Sequence, residues 1–358
     1  MTSRLSIPWP VPYQPQVPKD KSVGIGVVGC GGITQGQHIP AYLAQGLRVV
    51  AVADISEENA KKAAKVAGGV PHFTDHRRLL EREDVQVVDA ATHPAPRLQI
   101  IRDALDAGKD VLSQKPFVLD LAEGRELVAL ATKKKKLLAV NQNGRWSPPW
   151  KVAQEWIRAG AIGEVMTVRH DCHWNHNWVA GSSFDKMKHV ILYDFSIHWF
   201  DITCCWLPGR LPKTVLGTNI KAANQRALHP LLAQAVADYG DMLASWVFDA
   251  SCTTSSPADF RIEGTTGSIV GNDADFIELR TPQGSFRPQL QGKWFPDGFK
   301  GTMGELLCAR EEGRQPSNSA EDNLRSLQLC FAACQSADEG KPVEVATISK
   351  LPAGNVTA

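Results

Sequence analysis

The sequence of 358 residues lacks a strong excess of charge of either sign. Lysine and arginine total 39, and aspartate and glutamate total 38, which leaves a formal net charge of +1. Proteins that bind nucleic acid or an anionic membrane surface carry a basic field instead. The one charge run, at positions 133–136, ends a predicted helix, where lysines favour the negative end of the helix dipole. We therefore expect neither a nucleic-acid partner nor a membrane partner.

Long apolar runs and paired cysteines are also missing. No apolar segment approaches the roughly 20 residues that a membrane-spanning helix needs, and the first residues lack the apolar core of a signal peptide. The eight cysteines include no C-x-x-C pair, and several lie in apolar stretches such as ITCCWL. These patterns predict reduced thiols and a cytoplasmic protein.

Prolines are concentrated in residues 1–22, where they exclude both a helix and a central strand. Ile7, Trp9, Val11 and Tyr13 alternate with them. The composition fits a disordered tail, and the alternation fits an extended arm docked on a neighbouring surface. Both alternatives stay open from the sequence.

The remaining chain is too long for one typical core, and its pattern changes near residue 142. From 23 to 142, short apolar strands alternate with amphipathic helices, which predicts a Rossmann-type parallel sheet covered on both faces. From 143 to 358, longer alternating strands and late helices predict an α+β domain with a large, mainly antiparallel open sheet. We expect a proline-rich arm at 1–22, a Rossmann-type domain at 23–142 and an α+β domain at 143–358.

A glycine-rich loop follows the first predicted strand and opens a helix. Glycines at positions 29, 31 and 32 allow backbone N–H groups to approach a pyrophosphate at the positive end of that helix, although Thr34 replaces the third glycine of the usual fingerprint. Asp54 ends the second strand at the spacing expected for a ribose-binding acid. Its carboxylate accepts hydrogen bonds from both ribose hydroxyls and repels a 2′-phosphate. The loop therefore predicts NAD as cofactor in preference to NADP.

These motifs, together with Gln114-Lys115-Pro116 after the fourth strand and Asp194-x-x-x-His198 in YDFSIHWFDI, resemble the Gfo/Idh/MocA oxidoreductase family. That family includes glucose–fructose oxidoreductase and inositol dehydrogenases. The resemblance runs from about residue 23 to 343 and implies a carbohydrate or polyol substrate and a homodimer or homotetramer. It implies cofactor contacts at Gly29, Gly31, Gly32, Ile33, Asp54, Thr92, His93 and Lys115.

The sequence departs from the family pattern at two positions beside the expected nicotinamide site. Gln114 stands where the family usually has glutamate, and Arg97 stands where a histidine is common. The lysine of the Lys-Pro pair is retained at position 115. These departures concern the ionisation of Lys115 and the contacts at the nicotinamide edge, where His93 is an alternative partner.

Asp194 and His198 are spaced i, i+4, which predicts one face of a helix. His198 is the candidate general base for a substrate hydroxyl, and Asp194 orients its ring. Lys115 donates to the same hydroxyl oxygen and favours its developing negative charge. We expect substrate contacts at Lys115, Arg145, Trp146, His176, Trp178, Asp194 and His198.

A zinc site is conceivable at three histidines, His170, His173 and His176. However, side chains at an i, i+3, i+6 spacing do not all lie on the same face of a strand, so they cannot converge on one ion. We expect no metal; the histidines and nearby tryptophans either line a substrate cleft or pack in the core.

The motifs favour an NAD-dependent dehydrogenase that acts on a secondary hydroxyl of a sugar, glycoside or cyclic polyol. One alternative is a glycosidase that uses transient oxidation by tightly bound NAD. Another is a non-catalytic NAD-dependent sensor, which would have no need of Lys115, Asp194 and His198.

Overall fold

The computed structural model describes residues 8–354 of the chain, which form two compact units. The first unit combines residues 15–143 with 295–324. The second combines residues 8–14, 144–294 and 325–354. Each unit has its own sheet.

The first unit contains a six-stranded parallel sheet in the order β3-β2-β1-β4-β5-β6. Its strands are β1 (Gly24–Val28), β2 (Arg48–Ala53), β3 (His72–Phe73), β4 (Val87–Ala90), β5 (Asp110–Ser113) and β6 (Leu138–Val140). Strands β1, β4, β5 and β6 are buried along their whole length, because helices cover both faces of a parallel sheet. The strand order reverses between β1 and β4, the place where dinucleotides bind in such sheets. The predicted Rossmann-type fold is confirmed.

The helices of this unit follow the strands in alternation. They are α1 (Ile39–Ala44), α2 (Glu57–Val66), α3 (His76–Leu80), α4 (Pro94–Asp106) and α5 (Leu121–Lys134). The Ser56 side chain caps the start of α2, where it accepts a hydrogen bond of 3.3 Å from the backbone N–H of Asn59. A short π-helical segment, Thr34–His38, precedes α1.

The second unit contains a nine-stranded sheet in the order β14-β13-β12-β11-β7-β10-β9-β8-β15. Its strands are β7 (Val165–Cys172), β8 (Thr214–Ile220), β9 (Leu232–Asp238), β10 (Leu243–Asp249), β11 (Asp259–Gly264), β12 (Ser268–Asn272), β13 (Ile277–Thr281), β14 (Gly284–Phe286) and β15 (Val343–Glu344). All neighbouring strands are antiparallel except the pair β7 and β10. Strands β8 to β11 alternate between buried and exposed residues. The predicted α+β domain with a mainly antiparallel open sheet is confirmed.

Four further helices follow along the chain: α6 (Pro148–Arg158), α7 (Ile197–Trp206), α8 (Trp294–Glu312) and α9 (Ala320–Glu339). Helix α8 is interrupted at Phe295, whose backbone angles are not helical. The compact units group the chain differently from the predicted domains, because 295–324 join the first unit rather than the second. Phe299, Met303, Leu306 and Leu307 are buried in the same apolar cluster as β1. The apolar face of this late helix therefore completes the core of the first unit.

The proline-rich arm is docked within residues 8–22. The Trp9 ring lies 5.8 Å from that of Phe286, and Trp156 donates from its indole N–H to the Pro8 carbonyl at 3.2 Å, all within the second unit. Within the first unit, the Lys19 backbone N–H donates to Glu311 at 3.2 Å. Residues 8–22 thus agree with the alternative of an extended arm docked on a neighbouring surface. Residues 1–7, including Ile7, lie outside the described residues.

All eight cysteines are free thiols, and seven of them are buried. Within residues 8–354, no helix combines the length and the apolar character that crossing a bilayer requires.

Candidate active site

The glycine loop closes tightly against the segment that follows β4. Gly29 has a φ of +96°, and a Cβ atom there would lie 2.8 Å from both the carbonyl carbon of Ala91 and the side chain of Thr92. Only glycine fits such an approach. Gly31 and Gly32 are exposed, and a Cβ atom on either would have no heavy atom within 4 Å. The loop is therefore fixed at its base and open above its exposed glycines.

Asp54 ties this loop to the end of β2. One carboxylate oxygen accepts the backbone N–H of Cys30 at 2.6 Å, and the other accepts that of Ser56 at 2.8 Å. Thr34 is fully buried, and its hydroxyl donates to the Gly29 carbonyl at 2.8 Å. The threonine at the third fingerprint position thus braces the turn from inside.

The residues of the loop fit a dinucleotide. The open space above Gly31 and Gly32 lies where backbone N–H groups meet a pyrophosphate in Rossmann folds, and Ile33 is 44% exposed beside it. Each Asp54 oxygen retains a lone pair for a ribose hydroxyl. The structure thus brings together Gly29, Gly31, Gly32, Ile33, Asp54 and Thr92, and it places His93 exposed at the start of α4.

A buried polar network lies beneath the π-helical segment. His38 and Asp89 are both fully buried, and the imidazole Nδ1 lies 2.7 Å from the Asp89 carboxylate. The same oxygen accepts the Tyr42 hydroxyl at 2.8 Å. The sequence analysis missed this pair, although a lone aspartate in the apolar strand VQVVDAA was a signal for it.

Gln114 joins that network to the backbone of Lys115. Its side-chain oxygen accepts the Lys115 backbone N–H at 2.8 Å, and its side-chain nitrogen lies 2.9 Å from Nε2 of His38. The amide of Asn141 also reaches Nε2, at 3.3 Å. With amide nitrogens facing Nε2, this ring nitrogen acts as the acceptor, and Nδ1 donates to Asp89. The glutamine that replaces the usual glutamate therefore acts as a bridge between two fixed partners.

Arg97 holds the same segment from the opposite side. Its side chain is 1% exposed, and its guanidinium donates to backbone carbonyls of Thr92, Gln114 and Pro116, the last at 2.5 Å. Both departures from the family pattern thus act on the backbone around Lys115, which is itself half-buried.

Asp194 and His198 lie in the second unit, and the predicted single helix across them is wrong. Asp194 belongs to a π-helical segment, Val190–Phe195, and α7 begins only at Ile197. The hydroxyl and the backbone N–H of Ser196 both donate to the Ile191 carbonyl, at 2.6 and 2.8 Å, which supports the wider turn. Such segments recur at functional sites. Both Asp194 and His198 are buried.

Arg145 is engaged in a buried ion pair within the second unit. Its guanidinium donates twice to the Asp201 carboxylate, at 2.6 and 2.7 Å, and the Ser326 hydroxyl donates to the same group at 2.7 Å. Trp146, the next residue in the chain, is also buried. These contacts give Arg145 a structural task, and substrate contacts at Arg145 and Trp146 stay predictions.

The three histidines of the 170–176 segment have separate surroundings. His170 is buried, its ring stacks on Trp206 at 5.2 Å, and burial lowers its pKa to about 3. His173 is half-exposed and lies 3.2 Å from the Asp171 carboxylate. His176 donates from Nδ1 to the Trp174 carbonyl at 2.9 Å. Among residues 8–354, no three His, Cys, Asp or Glu side chains are placed to hold a metal ion.

Aromatic rings gather around the Asp194–His198 segment. The Phe195 ring lies 4.1 Å from that of His176 and 5.8 Å from that of Trp178. The His198 ring lies 5.2 Å from that of Trp294. His176 and Trp178, which the sequence analysis assigned to substrate binding, are thus packed next to the candidate acid–base pair.

Comparisons with known proteins agree with this architecture. The model of an oxidoreductase family with an NAD-binding Rossmann fold matches residues 23–142, and the model of the GFO/IDH/MocA C-terminal domain matches residues 150–270. A D-apiose dehydrogenase of Paraburkholderia graminis is 26% identical over 353 residues, which cover 93% of this chain and 92% of the relative.

Two solved structures share the fold. An oxidoreductase from Agrobacterium radiobacter, in complex with NAD+, L-tartaric acid and magnesium, matches with a TM-score of 0.81 at 22% identity, over 91% of this chain and 99% of that one. Levoglucosan dehydrogenase, in complex with NADH and levoglucosan, matches with a TM-score of 0.78 at 21% identity, over 90% of this chain and 99% of that one. Since the family models cover well over half of the sequence, this chain belongs to the Gfo/Idh/MocA family of NAD-binding oxidoreductases.

Proposed function

We propose that this protein is an NAD-dependent dehydrogenase that oxidises a secondary hydroxyl of a sugar, glycoside or cyclic polyol. Its relatives include proteins named for dehydrogenation of apiose and of inositol, both polyhydroxylated substrates. The observation that carries the proposal is the anchoring of Lys115. Gln114 and Arg97 fix its backbone just past β5, at the carboxyl edge of the sheet where Rossmann folds bind their ligands.

The cofactor is held by the glycine loop, Asp54, Thr92 and His93 in this proposal. When bound, NAD takes up the two electrons and the hydrogen of the substrate C–H bond. The loop and Asp54 hold its distal part, while Lys115 stands by the reacting end. The Asp54 carboxylate repels a 2′-phosphate, so NAD is preferred to NADP.

The acid–base chemistry falls to Asp194, His198 and Lys115. His198 accepts the hydroxyl proton, and the Asp194 carboxylate stabilises the imidazolium that results. Lys115 donates a hydrogen bond to the hydroxyl oxygen and favours the negative charge that develops there. A sensor that only binds NAD needs none of these three side chains.

A panel of sugars, glycosides and cyclic polyols tests the proposal, with NAD and NADP supplied in turn and absorbance of the reduced cofactor as readout. We expect at least one compound to yield stoichiometric NADH. A glycosidase that uses transient oxidation would cleave its glycoside without net NADH. Tight NAD binding with no turnover of any compound would favour the sensor.

We further propose that the protein is a cytoplasmic homodimer or homotetramer. Its eight free cysteines suit a reducing compartment. One face of strands β8 to β10 carries four apolar side chains that are each more than 40% exposed: Leu216, Ile220, Val236 and Leu243. An apolar stripe of this kind on a regular sheet suits a second copy of the same sheet.

A further inference from the structure

A cleft of about 510 Å³ opens in the second unit, between the loop after β7 and the turn that joins β12 to β13. Its lining includes Trp174, His176, Trp178, Ser255, Ser256 and Asp273. Such a lining, with aromatic faces and a few polar groups, is typical of sites for small hydroxylated molecules. The volume of the cleft also lies in the range that sites for small molecules occupy.

The aromatic wall includes an unusually placed tryptophan. All ten tryptophans of the chain lie within residues 8–354, and Trp178 alone is exposed, at 54%. Its ring centre lies 6.2 Å from that of His176, which in turn lies 6.0 Å from that of Trp174. The three rings therefore form a continuous row. Indole faces of this kind stack on the C–H faces of sugar rings.

Asp273 lines the cleft and is only partly satisfied by hydrogen bonds from the described residues. Its side chain is 4% exposed; one oxygen accepts the Ala258 backbone N–H at 3.0 Å, and the other has no hydrogen-bond partner among the described residues. A buried acceptor in that state is costly. Burial raises the pKa of Asp273 to about 7. A ligand hydroxyl both donates and accepts, so it satisfies this oxygen in either protonation state.

The cleft adjoins the candidate acid–base pair through two rings. Phe195 directly follows Asp194 and packs on both His176 and Trp178. Trp294 lies 5.9 Å from Trp174 and 5.2 Å from His198, measured between ring centres. Trp294 therefore contacts both a ring of the cleft lining and the ring of His198.

We propose that this cleft is a subsite for a second hydroxylated ring, with the row of aromatic rings stacking on it and Asp273 bonding one of its hydroxyls. The substrate is then a disaccharide or an extended glycoside rather than a free monosaccharide or a single-ring polyol. The inference rests on the proposed function, because it takes His198 as the base that acts on the first ring.

The test compares one-ring and two-ring substrates in matched variants. Monosaccharides, their methyl glycosides, their phenyl glycosides and their disaccharides in the gluco, galacto, manno and xylo series are assayed with NAD. We expect kcat/KM for at least one two-ring compound to exceed that of its monosaccharide by about tenfold or more, the value of one good buried contact. Asp273→Ala removes both carboxylate oxygens and should abolish most of that advantage, with a smaller change for the monosaccharide. Asp273→Asn keeps the bond to Ala258 and a polar group that a ligand hydroxyl can meet, so it should retain much of the advantage.

Controls separate the subsite from general damage. Asp275→Asn alters an exposed carboxylate in the same turn and should change nothing. Trp178→Ala should lower kcat/KM for two-ring compounds more than for their monosaccharides, and Trp178→Phe should restore part of the two-ring preference because it keeps a ring in the row.

Binding of the same compounds to the NAD-loaded protein, measured by calorimetry, separates the two proposals. If two-ring ligands bind in a way that depends on Asp273 but are not oxidised, the proposed dehydrogenase activity is contradicted and the subsite is supported. Equal use of one-ring and two-ring compounds, or equal losses for both in Asp273→Ala, would contradict the subsite but not the dehydrogenase activity. If no two-ring compound of the panel binds or reacts better than its monosaccharide, the subsite is likewise overturned.

Discussion

The Asp54 carboxylate is oriented by two backbone N–H groups, one from the glycine loop and one from the start of α2. Because both oxygens are fixed, their remaining lone pairs have defined directions for two ribose hydroxyls. The neighbouring Ile55 is 96% exposed and supplies no positive charge that could accept a 2′-phosphate. The proposed preference for NAD thus depends on the carboxylate at position 54 and on the uncharged side chain at position 55.

Replacing Asp54 with serine and Ile55 with arginine should shift the ratio of NADP to NAD affinity by roughly tenfold or more, because repulsion is removed and a phosphate partner is added. Calorimetric titration with each cofactor measures the shift. Glu58→Ser, which removes an exposed acid at the start of the same helix, is the control. Tighter binding of NADP than NAD by the unmodified protein would refute the assignment of Asp54.

Asp273 should also make stability depend on pH. Its pKa is raised by burial from 3.8 to about 7 in the folded protein, so between those values the folded state holds a proton that the unfolded state has released. The folded state therefore loses stability as pH rises from about 4 to 7, by roughly 4 kcal/mol at most.

Asp273→Asn should flatten that part of the stability curve, which is measured by urea unfolding at a series of pH values. Asn keeps the acceptor for Ala258 but has no proton to release. If the free energy of unfolding of Asp273→Asn depends on pH between 4 and 7 in the same way as that of the unmodified protein, burial does not raise the pKa of Asp273.

At the level of elements, both π-helical segments of the described region carry proposed functional residues. Thr34–His38 opens the helix after the glycine loop and buries His38, and Val190–Phe195 carries Asp194 just before α7. A π turn places side chains differently from the 3.6-residue period, and the amino-acid pattern does not distinguish the two. The sequence could therefore predict helical backbone near Asp194 and His198, but not that a π-helical segment and a separate α-helix would carry them.

The segment around Lys115 was similarly only half predictable. The Lys-Pro pair is local and visible in the sequence, whereas Gln114 and Arg97 act on partners that lie far away along the chain, such as His38 and the Thr92 carbonyl. In the sequence alone, Gln114 and Arg97 are only departures from the family pattern, because their hydrogen-bond partners are visible only in the structure. Periodicity likewise predicted a helix beyond residue 294, but amphipathicity alone does not say which core its apolar face will complete.

Gln114→Glu should make stability fall as pH rises through the neutral range. A glutamate faces Nε2 of His38 with an acceptor in place of a donor, so the two groups attract each other only while the ring carries a second proton, which is lost as pH rises. Once that proton is lost, Nε2 and the glutamate oxygen are two acceptors that face each other. The contact then lowers the free energy of unfolding by about 1–3 kcal/mol.

Thermal unfolding between pH 5.5 and 8.5 measures the effect, with Gln283→Glu in an exposed turn as the control. Nitrogen chemical shifts of labelled His38 provide an independent readout, since in the unmodified protein Nδ1 should donate to Asp89 and Nε2 should accept from Gln114. Parallel stability curves for Gln114→Glu and its control would contradict the bridging role.

At the scale of the whole molecule, the exposed apolar stripe on β8 to β10 bears on assembly. Leu243→Glu should place a charge in a face that two copies would bury, and it should shift the protein toward monomers at micromolar concentration, as measured by light scattering. Val66→Glu, on an exposed position of α2, should leave the assembly unchanged. A monomeric unmodified protein would remove the basis for the proposal.

The central claim is a division of labour, in which the glycine loop and Asp54 bind NAD while Lys115 and His198 act on the substrate hydroxyl. The most direct measurement takes His198→Ala, Lys115→Ala and Asp194→Asn and determines NAD affinity by calorimetry and turnover by cofactor absorbance on the same samples. We predict near-normal NAD affinity in all three variants. Turnover should fall by about 10²- to 10⁴-fold for the two alanine variants and by less for Asp194→Asn, which keeps a hydrogen-bonding group but loses its charge. Near-normal turnover in His198→Ala, or loss of NAD binding in that variant, would contradict the account.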